Sequence, residues 1–454
     1  MAWRIDRTAS LWALGVAGVA AMFGVLAVVS PVLALLGAFA IAFLWIALLD
    51  LAAGTCLFVL ISASLEVLPG VGNLSFARLA GGVLVLSWLG AAVSRPEQRR
   101  QFFTEHPAMS GVLVLFVGWS AMSALWAESS AEAITVTIRY LLNFFLLPIV
   151  FAAIRTRRQA MIYAAAFVAG VLLSAFYGVV VAPGDMDAAA EGRVTGAGLD
   201  PNYLATLVVG AGVLAGAFMA SRRHSPITRL GGMVAALLCL AVLLTTVSRT
   251  GLVATGAVLI FGILLSGPGR RAPLAGLGVV CAAAVVLYFA ALAPHAATQH
   301  VTSLKGGTGR TDLWTIGMRM VKAEPLLGVG AGNFPVASIH YLLEPGAIRR
   351  DDFVVDTPKV AHNVFLEVQA ELGLPGLLAF VAIVGFCVIS AMRAAWAFAA
   401  KRDTTMEWLA RGVAVGSLGM LVGAMFNSLQ YTKPIWLLLA LGPALLQIAR
   451  SQSE

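Results

Sequence analysis

The chain has 454 residues, 60% hydrophobic and 11% charged, with a formal charge of +8. Soluble domains run about 45–50% apolar and about 25% charged, so this composition excludes one and predicts an all-α polytopic membrane protein. Its Lys and Arg fall largely in short loops between apolar runs, where they orient the chain and meet anionic membrane lipids, so the basic balance does not indicate nucleic acid.

A membrane helix needs about 20 mostly apolar residues. Arg4 and Arg7 precede Leu11–Val29, which reads as a retained first helix with a cytoplasmic N-terminus rather than a cleaved signal. Further spans are predicted at Val32–Leu49, Leu51–Leu68, Phe76–Val93, Ala108–Trp126, Ala133–Ile154, Ala160–Val181 and Leu199–Ala220. Leu230–Val247, the short Leu252–Leu265, and Leu274–Ala293 follow. After a long polar loop come Val364–Met392, Val413–Leu429 and Ile435–Ile448. The expectation is about 12–14 membrane helices, organised as a bundle over 1–293, an outer loop over 294–362 and C-terminal helices over 363–454, all one integrated membrane domain. Cys56, Cys239, Cys281 and Cys387 lie inside apolar runs without CxxC spacing, and read as small buried residues rather than a disulfide or zinc framework.

Basic clusters at Arg95–Arg100, Arg155–Arg158, Arg222–Arg229, Arg270–Arg271 and Arg393–Arg411 can all be cytoplasmic with this span count. Both termini are then cytoplasmic. Asp185–Leu199, Ser248–Arg249, Pro294–His362 and Tyr431–Lys433 face outward.

The first spans carry few polar residues and read as scaffold. Arg139, inside Ala133–Ile154, is expected to face a cavity or an ionic partner. In the loop 191–202, Arg193 beside Gly192, Gly196 and Gly198 is a candidate ligand contact, whereas Asp200 and Pro201 read as a helix start. Arg249 sits in Ser248-Arg249-Thr250-Gly251, a tight connection that presents a fixed positive charge on the outer side. A phosphate-binding role suits it better than snorkelling to headgroups.

The outer loop carries the densest polar chemistry. Thr311 and Asp312 are expected to cap a helix that runs to about Glu324, closed by Pro325, with Trp314, Met318 and Val321 on the face against the bundle. Arg310 then stands at the helix N-terminus, where backbone amides and a planar guanidinium suit phosphate oxygens. Gly328, Gly330 and Gly332 make either another amide-lined turn or a flexible loop. His362, at the start of the next span, is a candidate general base for a sugar hydroxyl. A diphosphate leaving group departs as a stable anion and needs cations rather than a dedicated acid. Glu367 and Glu371 lie one turn apart below His362. Glu367 is read as orienting it, pairing with an arginine or satisfying turn amides; Glu371 is read as structural, beside a helix break marked by Gly373, Pro375 and Gly376. No HExxH pattern occurs on the outer side, and neither a catalytic metal nor a cofactor is indicated.

Arg249 in Ser-Arg-Thr-Gly, Gly309-Arg310 followed by Trp314, the glycine run 325–334, and His362-Asn363 with Glu371-x-Gly-x-x-Gly376 together resemble the O-antigen ligase and polymerase superfamily. The resemblance implies a metal-independent, inverting GT-C-type glycosyltransferase of about 12 membrane helices in the bacterial inner membrane, with a periplasmic active site and a long periplasmic loop containing short helices. It implies an undecaprenyl-diphosphate-linked glycan as donor and, for ligases, lipid A–core as acceptor. Carried over residue by residue, Arg249 and Arg310 hold the diphosphate, with Arg193, Arg139 and Lys359 as further binding residues. His362 activates the acceptor, supported by Glu367 and Asn363. An O-antigen polymerase or a pilin glycan ligase uses the same donor, so these motifs do not separate them; the compact outer loop favours the ligase. A lipid-linked glycan transporter would need matching halves or broken repeats, and no such repeat is visible.

Overall fold

The computed structural model describes residues 24–25, 27–28, 30–64, 76–94, 102–181, 186–190, 192–292, 309–342 and 359–451. Most of the predicted span Leu11–Val29, the basic cluster Arg95–Arg100 and much of the outer loop 294–362 lie outside them. Among the described residues the fold is helical throughout. The order is α1 (Pro31–Leu49), α2 (Leu51–Ser62), α3 (Phe76–Ser94), the short α4 (Phe102–Glu105), α5 (Pro107–Met122), α6 (Ser130–Phe144), α7 (Leu146–Ala153) and α8 (Arg157–Val180). A short α9 (Met186–Ala190) leads to α10 (Pro201–Ala220), α11 (Pro226–Thr245), α12 (Arg249–Leu264) and α13 (Pro268–Leu287). The outer loop contributes α14 (Arg310–Ala323) and α15 (Phe334–Leu342), followed by α16 (Val364–Ala400), α17 (Thr404–Ala424) and α18 (Lys433–Ser451).

Eight of the described helices are long and apolar enough to cross a membrane, four shorter ones are apolar, and the chain is a multi-pass membrane protein. The bundle centres on α18, 83% of whose apolar window is buried, packed by α16, α17 and α7. At Gly442 a Cβ would stand 2.3 Å from the Cys387 carbonyl oxygen, so glycine sets how closely α18 approaches α16. Without a hydrophobic drive between helices in lipid, such close backbone contact supplies dispersion. At the periphery, α13 buries none of its apolar window.

Two predicted spans are broken. Ala133–Ile154 is two helices, α6 and α7, because Pro148 has no N–H to return to the Phe144 carbonyl. In α16 the backbone leaves helical geometry at Gly373 (φ 63°), two residues before Pro375. The break expected from Gly373, Pro375 and Gly376 is present.

The glycine run fills that break. Val329 N donates to the Ala370 carbonyl at 2.9 Å, Gly330 N to the Glu371 carbonyl at 2.8 Å, and Leu374 N to the Pro325 carbonyl at 2.9 Å. Trp119 Nε1 takes the Leu372 carbonyl at 2.8 Å. Backbone groups freed by an interrupted helix must be satisfied within the protein when lipid surrounds it. Gly328, Gly330 and Gly332 all have positive φ, and a Cβ at Gly328 would lie 2.4 Å from Glu371 backbone atoms. The run is neither a phosphate cradle nor a flexible loop: Val329 and Gly330 spend their amides on the α16 break, Ala331 N donates to Ser123 Oγ at 2.9 Å, and Asn333 Oδ1 accepts Ser129 N at 2.7 Å.

Basic groups gather at the bundle end remote from His362. Arg157 pairs with Asp403 at 2.9 Å, and Arg270 and Arg411 both bind Glu407, near the N-terminus of α17. Ser221, beside Arg222, meets Thr405 at 2.8 Å. His362 instead neighbours Ser428, beyond the other end of α17.

Candidate active site

The site is assembled from four chain segments. In the first, Asp200 caps α10, accepting Asn202 N at 2.8 Å and Tyr203 N at 3.1 Å, with Pro201 at the first helical position. The reading of Asp200 and Pro201 as a helix start is correct. Arg193 lies just upstream, half-buried, its Nε donating to the Thr246 carbonyl at 3.1 Å.

The second segment is the α11–α12 connection. Ser248 caps α12 by accepting Gly251 N at 3.2 Å, and its hydroxyl donates to Asn202 Oδ1 at 2.7 Å. Arg249 is the first residue of α12 and is exposed. Val247, just before the cap, has φ 51°. Left-handed backbone is a genuine outlier for a β-branched residue.

The third segment is the start of α14. Its cap is Gly309 in the left-handed conformation, not Thr311 or Asp312, which lie in the first helical turn. Only φ 72° at Gly309 turns the chain into the helix, and that favours glycine over a side-chain cap. The helix does end at Ala323, with Glu324 as its C-cap. Its buried face differs from the expected one. Leu313, Ile316, Gly317 and Met320 are buried, Trp314 is half-buried and Met318 is exposed. Burial pulls the Arg310 guanidinium pKa down; Asp200 opposes this, while the charges of Arg193 and Arg249 push it further down.

The fourth segment is the entry to α16. Asn363 is its N-cap, accepting Phe365 N at 3.1 Å and Leu366 N at 3.2 Å. His362, directly before it, has φ 50°. Residues held in such sparsely populated conformations cluster at functional sites because the surroundings over-determine them. Burial lowers the His362 pKa from the ordinary 6.5, the Arg310 and Lys359 charges act the same way, and Asp200 opposes them. The imidazole is therefore neutral at neutral pH, the form a general base requires.

Arg193, Asp200, Arg249, Arg310, Lys359 and His362 thus form one electrostatic group. Arg139 stands apart. It lies on the exposed side of α6 and is not among the charges acting on Arg310 or His362.

Glu367 and Glu371, both buried, are engaged. Glu371 accepts Phe334 N at 3.3 Å, at the N-terminus of α15, and Tyr431 Oη at 3.2 Å. Its structural reading fits these contacts. Glu367 accepts Ala361 N at 3.1 Å, the Ser428 hydroxyl and Gln430 Nε2. Sequence reasoning assigns no site role to Ser428, Gln430 or Tyr431: Ser428 falls inside the expected span Val413–Leu429, and Gln430 and Tyr431 follow it directly. Helix α17 stops at Ala424, and the polar run Asn427-Ser428-Leu429-Gln430-Tyr431 was the signal. Among the described residues, no group of three or more His, Cys, Asp or Glu could hold a metal ion.

A family model described as O-antigen ligase matches residues 234–381, the stretch that carries Arg249, Arg310, His362 and the broken part of α16. The chain carries an O-antigen ligase domain. That domain begins within α11 and ends within α16; the function it brings is of the O-antigen ligase or polymerase type, an enzyme of glycosyltransferase-like character. Arg193 and Ser428 lie outside the matched domain yet contribute to the same cluster. No curated protein matches the chain.

Proposed function

We propose that this protein is an inverting, metal-independent glycosyltransferase of the GT-C type. It moves O-antigen polysaccharide from undecaprenyl diphosphate to lipid A–core at the periplasmic face of the inner membrane. The observation that carries the reading is that Arg310 and Lys359 act on the His362 imidazole, while Arg193 and Arg249 act in turn on Arg310. His362 takes the proton of the acceptor hydroxyl as its oxygen attacks the anomeric carbon. The bond from that carbon to the diphosphate oxygen breaks, and Arg249 and Arg310 hold the departing anion. Attack opposite the leaving group inverts the anomeric centre.

The membrane placement follows from charge. The described basic groups Arg157, Arg270 and Arg411 gather at the end remote from His362, and the positive-inside rule puts that end in the cytoplasm. His362 then opens to the periplasm, and Arg450 leaves the C-terminus inside.

The test uses purified protein, undecaprenyl-diphosphate glycan and lipid A–core, with chelator throughout. A glycan-bearing lipid A–core that requires His362 is the expected product. Longer lipid-linked chains alone would make the protein a polymerase, and no covalent product would overturn the enzyme reading of this site.

A further inference from the structure

We propose that Ser428, itself held by Glu367, is a positioning residue that fixes the His362 backbone and so aims the imidazole at the acceptor hydroxyl. This rests on the reading of His362 as the general base.

His362 N donates to Ser428 Oγ at 3.1 Å. A serine hydroxyl has a single proton to donate, and here it goes to the Glu367 carboxylate. The lone pairs of Ser428 are thereby turned toward His362. The preceding peptide is gripped from both sides: Ala361 N donates to Glu367 at 3.1 Å, and the Ala361 carbonyl accepts Trp314 Nε1 at 3.0 Å. A histidine at φ 50° does not rest there unaided, and these bonds restrain the backbone that leads into its Cα.

The support is itself anchored in the bundle. Glu367 is fully buried, and Gln430 Nε2 is a further donor to its carboxylate. The Gln430 carbonyl accepts Trp436 Nε1 at 2.8 Å, and Asn427 Nδ2 reaches the Gly423 carbonyl at 3.3 Å. Ser428 thus stands on a short, braced connection between α17 and α18. Its hydroxyl is engaged by His362 N and the Glu367 carboxylate, so its removal is expected to act on the imidazole rather than on diphosphate binding.

The experiment compares wild type, Ser428→Ala, Ser428→Thr and Glu367→Gln, using the lipid-linked donor and lipid A–core. Small misplacement of a reacting group costs up to about 100-fold in rate. Ser428→Ala is expected to lower kcat at least about tenfold with donor KM unchanged, and to move the acid limb of the pH profile upward as the imidazole meets more water. Ser428→Thr should recover most of the rate, because the hydroxyl returns. In a His362→Ala background, Ser428→Ala should cause no further loss, since residues that act as a unit are not additive.

Wild-type kcat in Ser428→Ala would overturn the proposal. So would a loss that tracks only the folded fraction, or an equal further loss on top of His362→Ala. If His362→Ala itself transfers normally, the general-base reading fails, and the positioning role fails with it. If His362→Ala is inactive while Ser428→Ala is normal, the positioning role alone fails.

Discussion

Arg193 donates through Nε to the carbonyl of Thr246, three residues before Arg249. Val194 N adds a bond to the Thr245 carbonyl at 2.9 Å, and Asn202 receives Ser248. The loop before α10 and the tip before α12 are therefore one unit, and Arg193 both contributes charge and sets where Arg249 stands. Arg193→Lys keeps the charge but loses the directional Nε donor. It is expected to raise donor KM about tenfold, as hydrogen bonds to charged groups contribute roughly 1.5–3 kcal/mol. Steady-state kinetics against donor concentration check this; an unchanged KM in Arg193→Lys would leave only a charge role.

Arg249→Ala, Arg310→Ala and His362→Ala should each reduce transfer by about 100-fold or more, the loss typical when a group that stabilises developing charge is removed. Size-exclusion profiles in detergent should stay those of wild type, because Arg249 is exposed and none of the three fills the bundle core. Normal transfer in all three at equal expression would dissolve the site.

The rate should rise with pH through the His362 pKa, since a base acts when deprotonated. Burial and Arg310 hold that pKa below 6.5, so the acid limb is expected below the ordinary histidine range. Asp200 and Lys359 act in opposite directions on the imidazole. Asp200→Asn should move the limb further down, and Lys359→Gln should move it up. Asparagine still caps a helix, so α10 survives the first change. Shifts of the same sign in both variants would contradict the arrangement.

Gly373→Ala and Gly328→Ala test the wedge in α16. A Cβ at Gly373 would stand 2.1 Å from the Leu326 carbonyl oxygen, and Gly373 and Gly328 have φ of 63° and 67°. Each substitution combines overlap with backbone strain of about 1–3 kcal/mol. Both should lower the melting temperature in detergent and the yield of membrane-inserted protein, whereas Gly385→Ala, with nothing near its Cβ position, should not.

Glu407 binds Arg270 and Arg411 while its own side chain is 5% exposed. Glu407→Ala leaves these arginines uncompensated and is expected to destabilise the protein by about 3 kcal/mol. The fraction that remains folded should show wild-type kcat and pH profile, because this cluster sits at the far end of α17 from Ser428. A changed pH profile would show that the two ends are coupled.

The helical architecture was legible because each span carries its own apolar run, although α17 starts nine residues before the expected Val413 and α16 runs eight residues past the expected Met392. Arg249, Arg310 and His362 stood out as cations or a base beside turn residues. What could not be read is how distant segments meet. Nothing in Pro325–Phe334 alone says that its amides complete a broken helix some 40 residues later. Likewise, Ser428 looks like the tail of a span until Glu367 is placed beside it. Arg139 shows the converse. Its intramembrane position drew attention, but the rotation of α6 that leaves it outside the group is set by Val136, Tyr140 and Asn143 packing inward.

Val247 has a consequence for engineering. It holds a β-branched side chain at φ 51° two residues before Arg249, a conformation glycine would occupy without penalty. Val247→Gly would relieve that strain but would also delete a side chain that is only 1% exposed and loosen the unfolded chain, so it is expected to lower thermal stability. Relaxing that joint would also free the α12 tip to swivel, so stability and the placement of Arg249 draw on the same buried valine and would be lost together.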